Sequence, residues 1–380
     1  MRVAAYCDLA YWRDRAGVSS DESFLIFMTR VARHLDAVTL VGRLDPEPGR
    51  KAYGIPPEIA FLPLPHYRSL ASPASAAGGM ARSLWAFWSL LGETDAVWLL
   101  GPHPLSIAFA LMAAARRRRV VLGTRQDMPA HMRSRHPRRF DIRLATGVLE
   151  GIWRLLAKRF PMIVVGPDLA RRYSGREVVP IVIPLVEQAD VVDMEAAAAR
   201  PYDGAELNIL SVGRIEPEKN PLMLVDVLAQ LRESDPRWRL TVCGEGSMLA
   251  ALRERAAERG LDEQVELRGF VALDEGLREL YRDSHAFLHL SFTEGVPQVL
   301  FEAFAAGLPI VATGVGGVPE IAAEAALLVP PGDRDAAAGA LRRIAAEGAL
   351  RRRLIDGGAE KLQRYSLDAE ATAVARLLAG

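Results

Sequence analysis

The chain runs through one pattern twice: a short, nearly unbroken apolar run, then a longer segment whose apolar residues recur at helical spacing. In the first half the short runs are residues 3–6, 37–41, 96–100, 120–123, 162–165 and 178–183, with helices expected between them, for example at 23–35 and 105–118. Unbroken Val/Ile/Leu runs belong to a parallel sheet covered on both faces, where no alternation with polar residues is needed. After residue 200 the pattern restarts, with strands expected at 208–212, 239–243, 265–267, 286–290 and 309–312 and helices at 221–234, 247–259, 275–284, 297–306 and 335–347. Each step is a βα repeat, so the expected fold class is α/β with two doubly wound domains. At 380 residues, half of them hydrophobic, there is material for two cores. The expected linker is 187–202, which holds four alanines, Ala196 to Ala199, and then Arg200-Pro201.

The formal net charge is zero, but residues 1–190 carry 26 Lys and Arg against 17 Asp and Glu, a net of +9, and residues 191–380 carry 21 against 30, a net of −9. A basic half can face an acidic membrane or an anionic acceptor; the same split also arises from compositional drift. Cys7 and Cys243 each end an apolar run, so both are expected as reduced core thiols, which fits the cytosol; neither a disulfide framework nor a zinc site is expected. Residues 1–7 lack a signal-peptide pattern, and the longest apolar run, 105–115, is far short of the ~20 residues that span a bilayer. It ends in Arg116 to Arg119, cations that suit a helix C-terminus.

Doubly wound sheets bind ligands at the carboxyl ends of their strands, so the loops there carry the functional signal. In Val212-Gly213-Arg214-Ile215-Glu216-Pro217-Glu218-Lys219-Asn220-Pro221, a strand ends, Gly213 allows a close turn, and Arg214 and Lys219 flank a helix N-terminus suited to phosphate. Surface charges would read the same way. Cys243-Gly244-Glu245-Gly246-Ser247 is a strand–Gly-x-Gly–helix turn without a third glycine; tight helix entry with Ser247 as cap is its plainer reading. In Ser291-Phe292-Thr293-Glu294-Gly295-Val296-Pro297, Glu294 precedes a helix expected to begin near Pro297, and Glu302 falls among the apolar Val299, Leu300 and Ala303. A carboxylate there needs partners, either sugar hydroxyls or a structural salt bridge. Thr313-Gly314-Val315-Gly316-Gly317-Val318-Pro319-Glu320 again has glycines that let a backbone approach a ligand closely.

In this order and spacing, the four loops resemble the retaining glycosyltransferases of family 4, with the GT-B fold of two Rossmann-like domains facing a central cleft. The resemblance covers roughly 207–365 and implies a nucleoside-diphosphate sugar as donor substrate, with no cofactor and no metal. It implies that Arg214 and Lys219 hold the diphosphate, Glu302 the ribose hydroxyls and Glu294 the transferred sugar. Gly213, Gly244, Gly246, Gly295, Val296 and Pro297 would line the donor, and Gly269-Phe270-Val271 matches the stretch beside the base. It also implies an acceptor domain at 1–190, a donor domain at 200–365, and a last helix (367–380) packed back on the first. His103, in Gly101-Pro102-His103-Pro104, matches a family histidine that reaches the donor sugar; a structural histidine is the alternative. With Glu294, Arg214 and Lys219 it completes the expected catalytic set. Three stretches depart from the family: Ala16-Gly17-Val18 replaces a paired-glycine loop, Arg125-Gln126-Asp127 stands where many members have His-Asp, and Pro184-Leu185-Val186 replaces Pro-Asn-Gly. Gly17, Arg125 and Asp127 are therefore acceptor-side candidates.

Residues 132–160 hold Arg133, Arg135, Arg138, Arg139, Arg143, Arg154, Lys158 and Arg159 against Asp141 and Glu150, interleaved with Phe140, Leu144, Val148, Leu149, Ile152, Trp153 and Leu156. A basic amphipathic helix of this kind can lie on an anionic membrane surface, or the stripe can pack on the sheet. No nucleic-acid-binding module is present, so nucleic acid is not an expected partner. The expected activity is sugar transfer to a hydroxyl acceptor: an envelope polysaccharide, a lipid-linked glycan or a small-molecule natural product. The expected place is the cytoplasm, peripheral on the inner face of the membrane. The competing readings are a GT-B epimerase or phosphorylase, the latter lacking a motif for a pyridoxal lysine, and a catalytically silent nucleotide-sugar-binding or regulatory protein.

Overall fold

Strand β1 (Arg2–Asp14) begins with a buried run, Val3 to Cys7, inside the first sheet. The computed structural model describes residues 1–15, 17–47, 53–67, 73–135 and 139–380. Parallel to β1 run β3 (Ala37–Leu44), β5 (Ala60–Pro65), β6 (Ala96–Gly101), β7 (Arg119–Thr124), β8 (Met162–Val165) and β9 (Val178–Ile181), in the order β5-β3-β1-β6-β7-β8-β9. The end of β1 turns back through β2 (Gly17–Ser20), which pairs antiparallel with β1 and with β4 (Tyr53–Gly54). Thus Gly17 sits in a hairpin, with φ of 136° and its amide donating to Asp14. Ala16 lies outside the described residues. The helices are α1 (Phe24–Ala32), α2 (Pro73–Leu90), α3 (Pro104–Ala115), α4 (Met128–Arg135), α5 (Phe140–Ala157) and α6 (Pro167–Ala170).

The second sheet has the order β12-β11-β10-β13-β14-β15, built from β10 (Leu207–Val212), β11 (Trp238–Cys243), β12 (Val265–Gly269), β13 (Ala286–His289), β14 (Ile310–Thr313) and β15 (Ala326–Val329), all parallel. Around it lie α7 (Met194–Ala198), α8 (Pro221–Arg232), α9 (Leu249–Glu258), α10 (Arg278–Asp283), α11 (Gln298–Ala305), α12 (Val318–Ala322), α13 (Arg334–Ala346) and α14 (Gly348–Arg364). The last helix, α15 (Leu367–Ala379), packs on α1, β6 and β7. There Arg119 donates from Nε and Nη2 to the Leu377 carbonyl, a cation on orphan C-terminal carbonyl groups.

By internal contacts the chain forms two units, Met1–Pro129 with Arg139–Leu185 and Leu367–Gly380, and Ala130–Arg138 with Val186–Ser366. Each has its own core. In the first, Trp153 and Phe109 join Val97, Leu99 and Val164; in the second, Trp238 joins Leu240, Leu288 and Leu341. A fully buried Leu or Val contributes roughly 1.5–3 kcal/mol, so cores of this size sustain both units.

Several expectations are corrected. The helix expected to run to Arg118 ends at Ala115, because Arg117 takes a left-handed φ of 57°. The helix expected from 275 begins at Arg278, since Gly276 has φ of 110° and breaks the turn. Residues 187–202 are not a plain linker: α7 lies within them, with Ala197 buried and α14 against it. Residues 132–160 are not one helix but α4 and α5, with Arg138 outside the described residues. The α5 stripe does not pack on the sheet as a whole. Trp153 points inward, its Nε1 donating to Thr124 Oγ1 at 2.9 Å, while Phe140, Leu144, Val148 and Ile152 face solvent.

Candidate functional site

In the second unit the strand order reverses between β10 and β13, the position where doubly wound sheets leave a crevice. The loops after these two strands carry the principal charged residues. Lys219 follows β10 and Glu294 follows β13, and the structure joins them: Lys219 Nζ donates to Glu294 Oε1 at 2.5 Å. His289, the last residue of β13, places Nε2 2.7 Å from the same oxygen, and Ser291 Oγ lies 3.3 Å from that nitrogen. Burial raises the Glu294 carboxyl, but the Lys219 ammonium and His289 outweigh it and hold the group well below the usual carboxylate range. A small crevice opens here, lined by Gly213, Arg214, Lys219, His289 and Ser291.

Arg214 reaches Glu218 at 3.1 Å and is otherwise well exposed, whereas Glu218 is buried and leaves Oε2 with no hydrogen-bond partner. A buried, half-satisfied carboxylate is costly, and here it tethers a guanidinium at the mouth of the pocket. Asn220 takes a left-handed φ of 51° ahead of Pro221 in the first turn of α8.

The glycines serve the loops themselves. A Cβ on Gly244 would meet the Gly213 carbonyl oxygen at 1.9 Å, and one on Gly246 would meet that of Ile215 at 2.3 Å. Likewise a Cβ on Gly316 would meet the Glu294 carbonyl oxygen at 1.9 Å, and the Gly317 amide donates to the Gly295 carbonyl. Each Gly-rich loop therefore presses on the charged loop beside it. The close approach expected toward a ligand is made toward backbone. Ser247 does not cap a helix: it bonds to Glu216, and α9 begins at Leu249. Pro297 is the residue before α11 rather than its first helical residue. Val296 packs near Gly317, Gly269 has φ of 67°, and Phe270 is exposed beside Val271 at the end of β12.

Glu302 lies apart from the Lys219 pocket. On α11 it accepts from Tyr281 Oη at 2.8 Å and lines a second crevice with Asp190, Arg278 and Arg282. Burial raises its pKa, against the Tyr281 hydrogen bond and Arg278.

In the first unit the order reverses between β1 and β6, and His103 lies just past β6. It caps α3, with Nδ1 accepting the Leu105 amide at 3.2 Å. A neutral ring then carries its proton on Nε2, which faces Tyr67 Oη at 3.2 Å and Asp8 Oδ2 at 3.5 Å. Asp8 sits where β1 bulges between Tyr6 and Ala10, and accepts from Arg43 Nε at 2.7 Å and from the Tyr6 and Tyr67 hydroxyls, each at 3.2 Å. Burial lowers the His103 pKa, with Arg43 adding to it and Asp8 opposing. Asp8, Tyr6, Arg43 and Tyr67 escaped the sequence reading, as did His289 and Glu218; the available signal for Asp8 and His289 was a titratable residue closing an apolar run. Of the acceptor-side candidates, Arg125 pairs with Glu22 at 3.7 Å over the Phe24 ring, and Asp127 pairs with Arg172.

Among the described residues no cluster of His, Cys, Asp and Glu could hold a metal, and no helix is long and apolar enough to cross a membrane. Cys7 and Cys243 are free and buried, and burial pushes both thiols up to about 11.

Two doubly wound sheets, each with a reversal of strand order, and superposition on known structures define a protein of GT-B fold. Residues 196–361 match the family glycosyl transferases group 1. D-inositol 3-phosphate glycosyltransferase of Streptomyces bingchenggensis is 34% identical over 230 residues, 56% of this chain and 50% of that protein. The amylovoran biosynthesis glycosyltransferase AmsK of Erwinia amylovora is 32% identical over 146 residues, 36% of each chain. The chain thus spans half or less of the length of these relatives. Among solved structures, Anabaena HepE in complex with UDP superposes with a TM-score of 0.72 at 16% identity, covering 100% of both chains.

Proposed function

We propose that this protein is a retaining glycosyltransferase that moves a sugar from a nucleoside-diphosphate sugar to a hydroxyl acceptor. The observation that carries the reading is the Lys219–Glu294–His289 cluster at the switch point of the second sheet, with Arg214 at the mouth of the same pocket. Two cations beside a helix N-terminus suit a diphosphate, and a carboxylate kept ionised beside them suits sugar hydroxyls. As the leaving diphosphate gains charge, Lys219 and Arg214 would stabilise it, and the acceptor hydroxyl would attack on the same face of the sugar. These cations can do the work of a metal, so turnover is expected to survive a chelator; loss of activity in EDTA, restored by a divalent cation, would remove that part of the reading.

The amylovoran relative supports a polysaccharide or lipid-linked glycan as acceptor, and the D-inositol 3-phosphate relative a small molecule; we favour the glycan. The HepE complex supports UDP as the nucleotide to try first. The buried free thiols fit the cytoplasm, with the protein peripheral on the inner face of the membrane. His103, neutral and held in place, is assigned to the donor sugar.

The test is thermal stabilisation by UDP-, GDP-, ADP- and TDP-sugars, followed by release of nucleoside diphosphate when acceptor is supplied. Lys219→Ala and Arg214→Ala should each weaken diphosphate binding by roughly 1.5–3 kcal/mol. Stabilisation without acceptor-dependent release would instead indicate a silent binding protein.

A further inference from the structure

Helix α5 carries its apolar stripe on the wrong side for a helix in water. Its buried face is Thr146, Glu150, Trp153 and Ala157. Phe140, Leu144, Val148 and Leu155 are 71%, 57%, 54% and 64% exposed, and Ile152 is exposed with them. At 3.6 residues per turn these five fall within an arc of about 120° running the length of the helix. Single exposed apolar residues are ordinary, but a continuous row is not. Neighbouring helices also expose large apolar residues. Helix α3 packs against both α2 and α5, and its Leu111 is exposed, as are Trp85 and Trp88 of α2.

Charge selects the occupant. The helix and its flanks carry Arg139, Arg143, Arg154, Lys158 and Arg159; its two carboxylates are already bound, Asp141 to Arg139 and Glu150 to Arg154. Arg116 lies 4.0 Å over the Trp88 ring. A second copy of the chain would set these cations against themselves across a two-fold axis, which disfavours self-association. An anionic lipid surface satisfies both features, taking the apolar row into the acyl boundary, the cations at the headgroups and the indoles between.

We propose that α5, with the exposed residues of α2 and α3 beside it, is a membrane-docking face that lies in the plane of an anionic bilayer surface. This deepens the reading of a peripheral enzyme with a glycan or lipid-linked acceptor, but it requires no turnover. The test is co-sedimentation of the full chain with vesicles of phosphatidylcholine, alone or mixed with phosphatidylglycerol, at low and high salt. Binding should need the anionic lipid and weaken with salt. The exposed triple variant Leu144→Glu/Val148→Glu/Leu155→Glu should bind at least about tenfold more weakly while its melting behaviour and stabilisation by UDP match the parent. If it misfolds, Leu144→Gln/Val148→Gln supplies the same comparison. Absence of binding at low salt, equal binding to neutral vesicles, or binding that the apolar variants leave intact would each overturn the proposal. So would a dimer in sedimentation velocity that Leu144→Glu disperses, which would assign the face to a second copy. Failure here leaves donor stabilisation untouched, and failure of donor binding leaves the vesicle result standing.

Discussion

Glu294 and Glu302 share one loop and helix, yet their surroundings push them in opposite directions. Lys219 and His289 surround Glu294 and keep it ionised; burial outweighs the Tyr281 hydrogen bond and Arg278 and shifts Glu302 toward its neutral form. Their replacements should therefore fail differently. Glu302→Ala is expected to weaken binding of a free nucleoside diphosphate by roughly 1.5–3 kcal/mol, because a carboxylate that accepts two ribose hydroxyls is lost. Glu294→Ala releases Lys219 from its ion pair, so free diphosphate should bind as well as before or better, while affinity contributed by the sugar and turnover are lost. Calorimetric titration of both variants with UDP and with UDP-glucose separates the outcomes; normal UDP binding by Glu302→Ala would take the ribose from that residue. The glycines set a second expectation. Gly316 has φ of 55°, and its Cβ would collide with the Glu294 carbonyl oxygen, a backbone atom that cannot swing away. Gly316→Ala combines left-handed strain with displacement of the Glu294 loop, and should cost at least about 2–3 kcal/mol in urea denaturation as well as donor affinity. A neutral result would mean that the two loops can slide apart.

Helix α15 shows how a terminal element gains a pH-dependent hold. Burial pushes the Glu370 carboxyl up to about 7, while a hydrogen bond from the Val182 amide works against it. A carboxyl whose folded pKa lies above its unfolded value gives its full stabilisation below the unfolded value, near 4.5, and loses it as pH rises through about 7. The chain should lose roughly 1–2 kcal/mol between mild acid and mild alkali, less than the full shift because Glu370 is partly solvated. Glu370→Gln should flatten that slope in denaturation at a series of pH values; an unchanged slope would place the titration elsewhere. The elements differ in how plainly the sequence announces them. Unbroken runs such as 96–100 and 286–290 marked β6 and β13, since only a doubly covered parallel sheet takes them, and the charged loops after β10 and β13 followed. Ala326–Val329 was harder, because the alanines that run into it give its start no boundary. The β1–β2 hairpin turns without an Asn-Gly signal. The orientation of α5 is set by long-range contacts such as Trp153 with Thr124, which helical spacing does not encode. The Asp8 cluster draws on β1, β3, β6 and the stretch after β5, a meeting that exists only once the strand order is known.

The two units draw on the chain unequally. All of the first unit's last helix comes from residues beyond Ser366, after the second unit is complete, so the ends of the chain are folded together. Arg30 of α1 bonds to Asp368, and Arg119 of β7 to the Leu377 carbonyl, while Val374 and Leu378 are buried. The residues that line the second unit's Lys219 pocket all fall within 211–291. Two units with separate cores are expected to melt as two transitions. A chain ending at Ser366 should lower the transition of the first unit by several degrees, since the removed helix buries apolar side chains worth a few kcal/mol. The second transition should stay in place. UDP should raise that second transition alone, in the parent and in the shortened chain alike, because a ligand stabilises only the unit whose folded form binds it. Differential scanning calorimetry with and without UDP reads all of this in one experiment. If UDP moved the transition that α15 removal lowers, the diphosphate would belong to the first unit, and the assignment of Arg214 and Lys219 would fall with it.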